Sequence, residues 1–118
     1  MASIQRLHVA TRYSEAAIHQ GTVYLAGQVP NDVSKDIKGQ TAEVLAMIDD
    51  LLAQAGSDKN HLLSVTVYLT DMADYAEMNE VWDAWLNPGF APPRACVQAA
   101  LAKPEWNGEM VVVAGQVG

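Results

Sequence analysis

Only two stretches of this chain repeat apolar residues at the helical period, and that scarcity limits the folds open to it. From about Gly39 to Ala55, residues Thr41, Leu45, Ile48, Leu52 and Ala55 share a face, which Val44, Met47 and Leu51 widen. Glu43, Asp49, Asp50 and Gln54 supply the wet side, and Gly56 suits the C-terminal cap. A second helix is predicted from about Tyr75 to Leu86, with Asp74 as candidate N-cap. Its Met78, Val81, Trp82 and Trp85 face one way, and Asn87-Pro88-Gly89 stops it. The remaining apolar runs read as strands. Ile4 to Val9 alternates loosely. Ala16 to His19 and Thr22 to Ala26 are separated by Gln20-Gly21, a hairpin signal. Residues 31–38 are polar and expected to be exposed. Leu62 to Thr70 is rich in Val, Leu, Tyr and Thr, and two further strands are expected over 93–101 and 109–116.

The resulting order, β-β-β-α-β-α-β-β with hairpins at both ends, predicts an α+β sandwich. One antiparallel or mixed sheet carries both helices on one face. The 118 residues fit a single domain over 1–118, with no internal repeat or linker. Two helices cannot cover both faces of such a sheet, so self-association is expected.

Seven basic residues against fourteen acidic give a net charge of −7, which argues against nucleic acid as a partner. The lone Cys96 excludes an intrachain disulfide, and His8, His19 and His61 are too scattered for a zinc site, so no metal is expected. No basic segment precedes an apolar core at the N-terminus, and no apolar run approaches ~18 residues, so neither a signal peptide nor membrane association is expected. A cytoplasmic location follows as the default.

The chemistry concentrates near the C-terminus. Pro92-Pro93 fixes the entry to an extended run that begins at Arg94, and Glu109 opens the last strand ahead of four apolar residues. A guanidinium and a carboxylate at the mouths of apolar strands need partners. Arg94 offers a planar two-donor fork for a substrate carboxylate, or else it pairs with an acidic side chain of a neighbouring subunit. Glu109 can act as general base and then acid, or it is a solvated residue after the Asn107-Gly108 turn. Cys96, two residues after Arg94, points to the same side and either lines the pocket or packs as a small hydrophobe. No nearby His activates it as a nucleophile. If the last two strands form a hairpin, about six or seven residues at ~3.3 Å separate Arg94 from Glu109, roughly 20 Å. Either those strands are not direct partners, or Arg94 of one subunit works with Glu109 of another.

These residues sit in a wider pattern. Pro92-Pro93-Arg94-Ala95-Cys96 and Glu109 through Ala114 keep the spacing of the RidA/YjgF family of enamine/imine deaminases, which the chain resembles over nearly its whole length. Val67 to Tyr75 followed by Met78-Asn79-Glu80-Val81-Trp82 is similar to the family's strand-turn-helix signature, and Val23 to Pro30 to its early strand and Gly-Gln turn. The resemblance implies a chorismate-mutase-like fold and a homotrimer with pockets between subunits. It also implies hydrolysis of 2-imino and 2-enamino acids to 2-oxo acids and ammonia without a cofactor. By the same resemblance Tyr13 closes the pocket, where it would otherwise be an exposed loop aromatic. Gly27 permits either a close backbone approach or an unusual φ, and the backbone of Ala26 contacts the ligand. Asn79 binds substrate or holds a loop, where it would otherwise be a polar position on the wet face of its helix. Ala26 stands where relatives often carry Ser or Thr, Leu101-Ala102 replaces Leu-Pro, and Val111 replaces an acidic residue. The chain thus resembles a compact side branch of the family. These departures keep a second class open, a non-catalytic binder of small carboxylates. Ribonuclease activity, attached to some relatives, suits the acidic charge poorly.

Overall fold

The structure is a computed structural model, and residues 3–118 are described. The strands are β1 (Gln5–Val9), β2 (Ser14–His19), β3 (Thr22–Leu25), β4 (Leu62–Leu69), β5 (Arg94–Gln98) and β6 (Gly108–Gly115). The helices are α1 (Ile37–Gln54) and α2 (Tyr75–Trp85). All six strands form one mixed sheet in the order β1-β2-β3-β6-β4-β5, with both helices on one face.

Local chemistry accounts for most element ends. Gln20 (φ 51°) and Gly21 (φ 78°) both take left-handed backbone, as the tight turn between β2 and β3 requires. Asp36 caps α1 by accepting from the Gly39 amide at 2.9 Å, so the helix begins two residues before Gly39 and claims Ile37 for the core. Beyond its C-terminus Gly56 (φ 77°) donates to Ala53 O, and Ser57 N donates to Leu52 O, which closes the last turn. Asp74 makes no capping hydrogen bond. Asp71 takes the capping role one turn earlier, accepting from Ala73 N at the head of a short 3-10 turn (Met72–Asp74) that leads into α2.

The expected C-terminal hairpin does not form. β4 lies between β5 and β6, antiparallel to β6 and parallel to β5. Parallel neighbours need a crossover, and α2 supplies it between β4 and β5. The loop after β5 then carries the chain around the end of β4, held by Ala99 N to Leu69 O and Thr70 N to Asn107 O. β5 is consequently an edge strand, largely exposed, rather than the buried strand its composition suggests.

Strand alternation sends Val65, Val67 and Leu69 of β4, with Met110, Val112 and Ala114 of β6, under the helices. There they meet Val44, Leu45, Ile48 and Leu52 of α1 and Met78 and Trp82 of α2. The opposite sheet face has no cover within the protomer and carries Ala17, Tyr24, Val97, Val111 and Val113. Tyr24 is 50% exposed and Val97 41%. Among the described residues no helix is long and apolar enough to cross a membrane. Leu52 is fully buried. Leu52→Ala should lower the unfolding free energy by about 2–5 kcal/mol, read as a shifted urea midpoint with an unchanged slope.

Candidate active site

Arg94 is the first residue of β5. Its position is pinned by Pro93, whose carbonyl accepts from Val65 N at 3.0 Å. Because Arg94 pairs with the buried Val65, its side chain rises on the helix side of the sheet, where α2 crosses above it. Positions 75, 79 and 82 of α2 share one helical face and converge on the guanidinium. Nη1 donates to Asn79 Oδ1 at 2.9 Å, and Nη2 donates to the Tyr75 hydroxyl at 3.4 Å. Cζ lies 5.2 Å from the Trp82 ring centre and 5.9 Å from that of Tyr75. No carboxylate pairs with Arg94 among the described residues. Asn79 therefore holds the arginine instead of standing on a wet face. Cys96 emerges on the same side and packs against the core. Burial pushes its thiol up, a shift that the nearby Arg94 charge only partly opposes.

Glu109 belongs to a different place. It pairs with Tyr68, so it projects from the uncovered sheet face. Gln28 bridges to Met110 through two backbone hydrogen bonds (Gln28 N to Met110 O, 2.8 Å; Met110 N to Gln28 O, 3.1 Å). That bridge lays Gly27 directly against the Glu109 carboxylate, and a Cβ at position 27 would overlap Oε2. The absent side chain at Gly27 is thus what makes room for the acid. Burial pushes the Glu109 carboxyl above its ordinary range, and no hydrogen bond to its side chain offsets this among the described residues. Ala26 has both backbone groups engaged, its N–H with Glu15 O and its carbonyl with the Gln28 side chain. Tyr13 is 59% exposed and lines an open groove of about 490 Å³ with Gly27, Gln28 and Met47.

The protomer therefore carries two separate clusters of candidate residues. Arg94 and Cys96 lie on the helix side of β5, with Asn79 of α2 against Arg94. Glu109 and Gly27 lie across the sheet, whereas Tyr13 stands apart from Glu109 in a groove lined by Gly27, Gln28 and the α1 residues Met47, Leu51 and Gln54. From the ladder registers, three residues at ~3.3 Å and two strand spacings of ~4.8 Å put the Arg94 and Glu109 Cα atoms roughly 14 Å apart. With side chains on opposite faces, the two cannot grip one small molecule within a chain. Tyr75 and Trp82 were not singled out by the sequence as partners of Arg94. Their i, i+4, i+7 spacing with Asn79 is the signal that marks them. No group of His, Cys, Asp or Glu among the described residues is arranged to hold a metal ion.

Fold and geometry together define a small α+β protomer whose Arg94 and Glu109 stand on opposite faces of one mixed sheet. The family model described as Endoribonuclease L-PSP, the YjgF/RidA family, matches residues 3–116. A RutC family protein of Haemophilus ducreyi is 52% identical over 111 residues, covering 94% of this chain and 95% of the relative. The RutC family protein YoaB of Escherichia coli is 42% identical over 112 residues, with 95% and 97% covered. A crystal structure of a YjgF-family protein from Neisseria meningitidis superposes with a TM-score of 0.96 at 48% identity, covering 98% of this chain and 97% of that one. Yeast Mmf1 superposes at 0.90 with 26% identity, covering 98% of this chain and all of its own. The chain belongs to the YjgF/RidA family.

A raised thiol is a poor nucleophile. Cys96 should react with iodoacetamide at neutral pH several-fold more slowly than free cysteine, followed by mass spectrometry of the native protein.

Proposed function

We propose that this protein hydrolyses reactive 2-imino and 2-enamino acids to 2-oxo acids and ammonia, in pockets shared between subunits of a homotrimer. The observation that carries the reading is the division of the site. A positioned guanidinium with no carboxylate partner among the described residues stands on one sheet face, and a partly desolvated carboxylate on the other. Neither is complete in its own chain. The uncovered apolar sheet face supports the association that would join them.

Arg94 takes the substrate carboxylate in its planar fork and so presents the C=N carbon. Glu109 of the partner subunit removes a proton from water as the water oxygen bonds to that carbon. The π pair of the C=N bond moves to nitrogen. The carboxylic acid form of Glu109 returns the proton to nitrogen, which yields a carbinolamine. Its C–N bond then breaks, the hydroxyl proton passes to nitrogen, ammonia leaves and the 2-oxo acid remains. Such imines also hydrolyse unaided, so orientation and modest acid–base assistance suffice. Tyr13 and the backbone beside Gly27 would border the substrate in this arrangement.

The test generates 2-iminopropanoate with an amino-acid oxidase and traps the residual imine with semicarbazide. Wild type should deplete the imine faster than buffer does. Arg94→Ala should lower kcat/KM by roughly 100-fold or more, and Glu109→Gln by roughly 10²–10⁴-fold. If wild type consumes imine no faster than buffer, hydrolysis is excluded. A melting temperature still raised by a 2-oxo acid would then assign the protein as a carboxylate binder.

The pH dependence follows from Glu109. Its pKa is raised, so its basic form is lost as pH falls through a value above the ordinary carboxylate range. The wild-type rate should therefore decline on the acid side at a pH higher than an unperturbed glutamate would give. That limb should be missing from whatever activity Glu109→Gln retains.

A further inference from the structure

We infer that Asn79, Tyr75 and Trp82 form an electrically neutral cradle, which fixes Arg94 without cancelling its charge and in which Trp82 is a positioning residue. The inference rests on the reading of Arg94 as the group that binds a substrate carboxylate.

A protein usually fixes an arginine with a carboxylate, through two parallel hydrogen bonds. Here the same work is divided among three uncharged groups. The Asn79 amide oxygen accepts from Nη1 at 2.9 Å. The Tyr75 oxygen stands 3.4 Å from Nη2. The indole face of Trp82 lies 5.2 Å from Cζ. Dipoles and a ring quadrupole stabilise a cation, yet they leave its net charge in place. An acidic side chain at position 79 would occupy the fork and neutralise it, in direct competition with a ligand.

The surroundings make that neutrality informative. The chain carries fourteen acidic residues, and α2 holds Glu77, Glu80 and Asp83. None of them pairs with Arg94, and Glu80 instead pairs with Lys38. The face formed by 75, 79 and 82 has no acid at all.

Trp82 is also held from behind. It is 5% exposed, and its ring centroid lies 5.5 Å from that of Trp85. Trp85 Nε1 donates to Asp49 of α1 at 2.9 Å. The plane on which the guanidinium rests is thereby set by packing between the two helices. Tyr75, 41% exposed, flanks the solvent side. The cradle thus leaves the remaining guanidinium donors to the ligand and keeps the full positive charge behind them.

Asn79→Asp discriminates this role from a structural one. The substitution keeps the shape and adds an ion pair, so the melting temperature should stay or rise. Affinity for 2-oxobutanoate, measured by calorimetry, should fall roughly tenfold or more, and KM for the imine should rise while kcat moves less. Trp82→Phe keeps a ring face and should hold affinity within about threefold. Trp82→Leu lacks the quadrupole and should lower it about fivefold in protein shown to be folded at the assay temperature. Wild-type affinity in Asn79→Asp would overturn the neutral cradle, and wild-type affinity in Trp82→Leu would overturn the positioning role of Trp82. If wild type binds 2-oxobutanoate but does not hydrolyse imines, the hydrolytic reading alone fails. If wild type does not bind it, both fall.

Discussion

β4 pairs with β6 along one edge and with β5 along the other, and each side chain of the site takes its direction from those two ladders. Alternate residues of β4 point to opposite faces, with Val65, Val67 and Leu69 under the helices and Thr66 and Tyr68 away from them. Arg94 sits beside Val65 and rises toward α2. Glu109 sits beside Tyr68 and points the other way. No rotamer change brings the two together, because the sheet itself stands between them. A slip of one residue in either ladder would move its group to the other face and bury the wrong side chains. The hydrophobic register that builds the core therefore also decides that the two charged groups stay apart within one chain.

The two charged groups stand in different surroundings. Arg94 is fixed by neutral groups, so its charge remains available. Glu109 is partly desolvated and gains no side-chain hydrogen bond among the described residues, so its charged form is disfavoured. A cation awaiting an anion and a carboxylate awaiting a proton are complementary requirements. The glycine beside Glu109 and the amide beside Arg94 serve the same end, since each admits a reactive group without neutralising it. The uncovered face that bears Glu109 also carries Tyr24, Val97, Val111 and Val113, side chains that no element of the protomer covers.

Much of the scaffold was legible along the chain. The α1 stripe, the Gln20-Gly21 turn and the common side of Arg94 and Cys96 all follow from periods of 3.6 and 2 and from turn chemistry. The misreadings share one cause, local signals with more than one solution. The short polar stretch after β5 looks like a hairpin connection, yet it passes around the end of β4. Asp71 and Asp74 are both good caps, and the 3-10 turn chose between them. Trp82 reads as a core residue from its spacing with Met78, and it is one, but its other side supports the guanidinium.

By itself the sequence determined which segments become helices and strands, that two helices leave a sheet face bare, and that Arg94 and Glu109 are the charged groups needing an explanation. These follow from short-range periodicity, which each segment carries alone. Only the tertiary structure decided that β4 separates β5 from β6, that Arg94 meets three neutral neighbours, and that Gly27 lies on Glu109. Those outcomes depend on pairing between segments far apart in the chain. Strand partners are selected by how completely the whole core closes, a quantity that no single segment contains.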